Sequence, residues 1–187
     1  MKINNPAKDF INSLSLTFFF TISIFLFGGY ENYAKAASNV HITEGDQWNY
    51  FTGTEEPPIQ WTYNDFNDSK WLTGRSGFGY GIGTYRTLLS DMKGKYQTVY
   101  VRRNFMINNP VNVTGISFSL ICNGPFVVYI NGREAIRNSE PVPIQIDLTG
   151  FAEVLQKGSN VLAVQCSNTD INSERFYFTP FFDVQER

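Results

Sequence analysis

Apolar and polar positions alternate with a period of two along most of the second half of the chain. In "YQTVYVRRNFMI" (96–107), Val99, Val101, Arg103 and Phe105 share one parity, and Thr98, Tyr100, Arg102 and Asn104 share the other. That is the pattern of a strand with two unlike faces. The same alternation runs through "VNVTGISFSLIC" (111–122), and shorter strand-like runs occur at 47–51, 160–166 and 175–184. Asn131-Gly132 divides "FVVYINGREAI" into two arms. This dipeptide predicts a tight hairpin, because a type I′ turn needs positive φ at both central residues. Pro57 and Pro58 break the chain between the first runs, since neither can donate to a ladder. One departure from period two stands out: Phe151, Val154 and Leu155 make a short helical stripe. Asp147 or Thr149 can cap it, and Gly158 ends it. With no long parallel crossover, the pattern predicts an all-β fold, an antiparallel β-sandwich of jelly-roll type with one short helix.

The first 36 residues follow a different rule. Lys2 and Lys8 precede the apolar run 14–29, and Ala34 and Ala36 complete an A-x-A pattern. This order predicts a secretory signal peptide over 1–36, since the run falls short of the roughly 20 residues that span a bilayer. A flexible segment over 37–45 and one sandwich domain over 46–187 would follow, secreted, periplasmic or displayed on the cell surface, with no membrane contact after cleavage. The charge is nearly balanced, 15 Lys and Arg against 17 Asp and Glu, and it forms no basic stripe. Nucleic acid is therefore excluded as the expected partner. Export would make a disulfide between Cys122 and Cys166, the only two cysteines, the default. Alternation places each at the C-terminal end of its strand. If those strands are antiparallel neighbours, the thiols lie at opposite ends of the pair, so two buried free thiols are expected.

Several segments carry a family resemblance. "TVYVRRNF", "VVYINGRE" and "IQIDLTGFAEVLQKGSNVLAVQ" resemble, in this order, the N-terminal sugar-binding jelly roll of family 2 glycoside hydrolases. "DQWNYFTGTEEPPIQWTYNDFNDSKWLTGRSGFGYG" is similar to a related galactose-binding-like module of secreted, multi-modular bacterial proteins. The resemblance spans about residues 46–184 and implies a carbohydrate-binding role. In place of the acidic D-D-G that the related module carries before its V-Y-x-N-G strand, this chain has "CNGPF" (122–126).

Candidate chemistry is sparse. The glycines at 74, 77, 79, 81 and 83 lack the strand before, the helix after and the G-K-[ST] of a phosphate cradle. They read as a bend that lets Phe78 and Tyr80 tuck inward, with Tyr80, Tyr85 and Arg86 able to border a cleft. Asp65 and Asp68 read as turn residues, and a structural calcium is the one ion such oxygen-rich loops would suit. His41 stands alone near the start of the domain, so nucleophilic catalysis and zinc have no anchor. Arg103 shares the apolar parity and needs a carboxylate if it points inward. The expected function is a non-catalytic carbohydrate-binding module. Its ligand would meet Tyr80, Tyr85, Arg86, Arg137, Asn168 and Asp170 at one edge of the sandwich, with Asn138 and Arg175 nearby. The alternative is a structural or protein-interaction module whose partner is a cell-surface or extracellular protein.

Overall fold

The computed structural model describes residues 38–139 and 144–187. The expected signal peptide, 1–36, lies outside the described residues. Twelve strands are present among the described residues: β1 (Ser38–Ile42), β2 (Gln47–Thr52), β3 (Leu72–Arg75), β4 (Phe78–Tyr80), β5 (Thr87–Leu88), β6 (Thr98–Ile107), β7 (Val113–Cys122), β8 (Phe126–Ile130), β9 (Arg133–Asn138), β10 (Ile144–Asp147), β11 (Gly158–Ser167) and β12 (Phe176–Glu186). They form two sheets. The first runs β10-β7-β12-β4-β5, with β1 also paired to β12, and the second runs β3-β2-β6-β11-β8-β9. All pairs are antiparallel except β4 with β5. The all-β sandwich expected from alternation is the observed fold.

The inner faces meet through aromatic side chains. Along β12, Phe176, Phe178, Phe182 and Val184 alternate inward and are fully buried, and β7 answers with Ile116, Phe118 and Leu120. Phe78 stacks on Phe178 at 5.9 Å between ring centroids, and Phe105 meets Phe182 edge-on at 5.1 Å. Each such ring contributes about 1.5–3 kcal/mol on burial. Tyr80 joins Phe78 inside, as the glycine bend predicted. Gly79 is required there because a Cβ would lie 2.4 Å from both the Phe176 carbonyl and the Tyr85 ring.

The hairpin forms as expected, with φ of 50° at Asn131 and 86° at Gly132. Its tip is tied down by amides. Asn131 Nδ2 donates to Asn160 Oδ1 at 2.7 Å and to the Val154 carbonyl at 2.8 Å, and Val161 N donates to Asn131 Oδ1 at 2.9 Å. The helical stripe is a 3-10 turn, Thr149–Val154, and Asp147 Oδ1 accepts from Thr149 N at 2.8 Å.

Three expectations are corrected. Residues 38–42, placed in a flexible lead-in, instead form β1, because β12 has a free edge beyond β4; His41 pairs there with Asp183. Cys122 and Cys166 are free and buried, but their strands are not neighbours. They belong to opposite sheets and meet across the core. The third correction concerns the arginines. Arg103 lies on the inner parity but only half-buried, with Asp46 at 3.3 Å. The buried one is Arg102, 1% exposed on the outer face of β6, because the segment 53–71 crosses that face and covers it.

Arg102 holds this crossing. Nη2 donates to the Tyr63 carbonyl at 3.1 Å, Nη1 to the Phe66 carbonyl at 3.5 Å, and Nε lies 3.0 Å from Asp68 Oδ2. The guanidinium also sits over the Phe66 ring at 5.1 Å. Burial pushes its pKa down, and Asp68 and Asp65 pull it back up. Replacing Arg102 with Ala strands two carbonyls and a carboxylate and is expected to cost about 3 kcal/mol. Urea unfolding of the two proteins measures this, and an unchanged midpoint would contradict the role given to Arg102.

Candidate functional site

Among the described residues, phenylalanines fill the interior of the sandwich, and clefts lie on its outer faces and rims. The segment 53–71 shapes the most aromatic of these. Its 3-10 turn, Ile59–Thr62, presses Trp61 edge-on against Tyr100 of β6 at 5.2 Å and Tyr129 of β8 at 5.7 Å, with Ala163 of β11 between the strands. Trp71 stacks behind Trp61 at 6.0 Å and meets Phe66 at 5.8 Å. Four side chains of this cluster stay half-open to solvent, Phe51, Phe66, Trp71 and Tyr129.

Beside Tyr129 lies a cleft of about 180 Å³ between the Glu56–Pro57 turn and the sheet, floored by Tyr100, Tyr129 and Gln165. Gln165 is also shared with a second cleft of about 240 Å³, which runs on past Val127 to Arg137, Asn138 and Ser167. The two make one trough across β6, β11, β8 and β9. Its charged groups sit at the ends. Glu56 lies close enough to Tyr100 to help burial raise that phenol's pKa. Arg137 grips Glu134 with two bonds, 3.0 and 2.7 Å, which holds the Glu134 carboxyl below its ordinary value. An apolar ring face beside a planar amide is the chemistry that takes the C–H face and the hydroxyls of a sugar.

The six residues expected at one edge are not brought together. Arg137 belongs to this trough, in the edge strand β9. Arg86 stands by β5, beside Glu44 at 3.4 Å. Tyr85 packs on Gly79 and donates to the Ile82 carbonyl. Asp170 accepts from Asn172 N at 2.7 Å within its own turn. Tyr80 and Asn168 do meet, but they are buried as a brace: Asn168 Nδ2 donates to Tyr80 Oη at 3.1 Å and to the Arg175 carbonyl at 3.1 Å, and Tyr80 Oη donates to the Ser173 carbonyl at 2.7 Å. Asn123, in the stretch that replaces the acidic D-D-G, ties the same turn by donating to the Arg175 carbonyl at 3.2 Å. Asp68, considered for calcium, is held by Arg102. Among the described residues, no three His, Cys, Asp or Glu side chains gather as a metal site would require.

A rival cleft of about 410 Å³ lies on the outer face of the first sheet. Strand register sets Asp147, Ser117, Asp183 and His41 in one row across β10, β7, β12 and β1. It is polar, with Gln145 and Gln185 in its walls, and has no aromatic lining residue.

Sequence reasoning passed over Tyr129, Gln165 and Trp61, although a signal for them existed. Trp61, Phe66 and Trp71 are large apolar residues in a turn-rich segment, which must pack on something. Tyr80→Phe tests the brace: losing that hydroxyl is expected to lower stability by about 1–2 kcal/mol, read by thermal unfolding. An unchanged midpoint would show that the hydroxyl is not part of the support.

No family model matches the chain, and no curated protein matches it. Solved structures do. The chain is similar to a β-glucuronidase from Bacteroides uniformis, with a TM-score of 0.56 and 19% identity over 78% of this chain and 18% of that one. A β-glycosidase from Bacteroides vulgatus gives 0.52 and 20% identity over 78% and 20%. A glycosyl hydrolase family 2 member from Bacteroides cellulosilyticus gives 0.55 and 14% identity over 78% and 21%. The chain spans about a fifth of the length of these proteins. Its fold is that of a β-sandwich domain resembling those within glycoside hydrolase family 2 enzymes.

Proposed function

We propose that this domain is a non-catalytic carbohydrate-binding module whose ligand lies in the trough on the outer face of the second sheet. The observation that carries the reading is the half-open Tyr129 ring set beside the Gln165 amide, on a floor that Trp61 and Tyr100 hold rigid. Tyr129 supplies the stacking face. Gln165 can donate to one hydroxyl and accept from its neighbour. The length of the trough, two clefts joined at Gln165, suits an oligosaccharide better than a single sugar. Likeness to domains of glycosidases supports a sugar ligand as the class to test first.

Leu72, Ile82 and Leu88 favour a second reading. They are 54%, 95% and 63% exposed, Leu72 on β3, Ile82 in the loop before β5 and Leu88 on β5, and Thr87 Oγ1 donates to the Arg75 carbonyl where β3 and β5 meet. Apolar side chains on a rim suit docking to another protein or domain.

Calorimetric titration with neutral and uronic-acid oligosaccharides separates these readings. Binding is expected, and Tyr129→Ala and Gln165→Ala should each weaken it about tenfold or more, a loss of roughly 1.4 kcal/mol, while Asp183→Asn leaves it unchanged. Loss on Asp183→Asn alone would move the site to the rival cleft. Failure of the whole panel to bind would overturn the saccharide reading in favour of the β3/β5 edge.

A further inference from the structure

The two thiols that alternation sets apart are brought together by the corner of the sandwich. Cys122 ends β7 in the first sheet, and the chain turns at once through Asn123, Gly124 and Pro125 into β8 of the second. That turn is pressed against the end of β11. Ser167 N donates to the Pro125 carbonyl at 2.9 Å, Cys166 is the register partner of Phe126, and a Cβ on Gly124 would lie 1.9 Å from the Ser167 carbonyl. Only glycine permits so close an approach. The sheets therefore converge here, and bring the Cys122 and Cys166 thiols together in the core, near enough for each to shift the other's pKa. The Cys122 Sγ also donates to the Gly124 carbonyl at 3.3 Å.

We propose that Cys122 and Cys166 form a disulfide that staples the two sheets, made by exchange with a small-molecule or protein disulfide as oxidant. The Cys122 thiolate attacks one sulfur of the oxidant and expels the other as a thiolate, leaving a mixed disulfide. The Cys166 thiolate then attacks Cys122 Sγ and expels the second oxidant thiolate. The pair loses two electrons and two protons, and the oxidant is reduced to two thiols. Cys122 acts first because it borders a turn and its pKa is lowered by the neighbouring Cys166 thiol and then by the Gly124 backbone, against the effect of burial, whereas complete burial holds the Cys166 thiol well above its usual range. The bond closes the chain from 122 to 166, a loop long enough for a large entropic restraint on the unfolded state. It also locks the corner that positions β8, and so Tyr129.

The test treats the full chain with glutathione disulfide, unfolds it in an alkylating agent and maps its peptides. The expected result is a cross-linked peptide joining 122 to 166, a mass lower by two hydrogens, and an unfolding midpoint raised on the order of 10 °C relative to the reduced chain. Cys166→Ala should gain no such increase. If that variant does not fold, the peptide map of the natural chain still decides. Two alkylated thiols after oxidant treatment, a glutathione adduct that persists on Cys122, or a cross-link that lowers the midpoint would each overturn the proposal.

Discussion

The buried guanidinium of Arg102 is the interaction on which the candidate site depends. A charge taken out of water must find partners, and this one finds the carbonyls of Tyr63 and Phe66 and the carboxylate of Asp68, all on the segment that crosses the outer face of β6. That bonding fixes an otherwise irregular stretch. Once it is fixed, Trp61 and Trp71 have a defined place against Tyr100 and Tyr129, and the second sheet is buried on both faces at its centre. The cleft is the space left where this cover stops. The fold and the site are thus separable: phenylalanines hold the sheets together, and an arginine shapes what lies outside them.

Much of the framework could be read from the residues alone. Alternation located β6, β7 and β12, and Asn131-Gly132 located the hairpin, because each rests on a local rule. The short strands β3, β4 and β5 were missed. Stretches of two to four residues, two of them interrupted by a glycine, carry too little alternation to register. β1 was missed because its place comes from the unclaimed edge of β12, a tertiary fact. The arginines show the limit of parity. It assigned Arg103 to the inner face correctly, but it assumes that the outer face is wet. Covering by a distant loop inverted the burial of Arg102 and Arg103. Pairing is likewise invisible to alternation, which is why two thiols expected at opposite ends of a neighbouring pair meet across the core.

The candidate site was less legible than the fold. Tyr80 and Asn168, expected among six ligand-facing residues, meet as a buried brace instead, and only Arg137 lies on the aromatic trough. A ligand face built on strands depends on which side chains the cover leaves uncovered, and no spacing rule reports that. The two outer faces also differ in chemistry: one gathers aromatic rings, an amide and an arginine–glutamate pair, while the other lines up two aspartates, a serine and a histidine. This asymmetry, rather than the likeness to larger enzymes, is what favours the aromatic face.

Amide chemical-shift mapping during an oligosaccharide titration tests the central claim most directly, because it reports every strand at once without altering the protein. The account predicts shifts confined to Tyr129, Gln165, Arg137 and the crossing near Glu56, with the row from Asp147 to His41 unmoved. Shifts centred on that row, with the aromatic face silent, would contradict it.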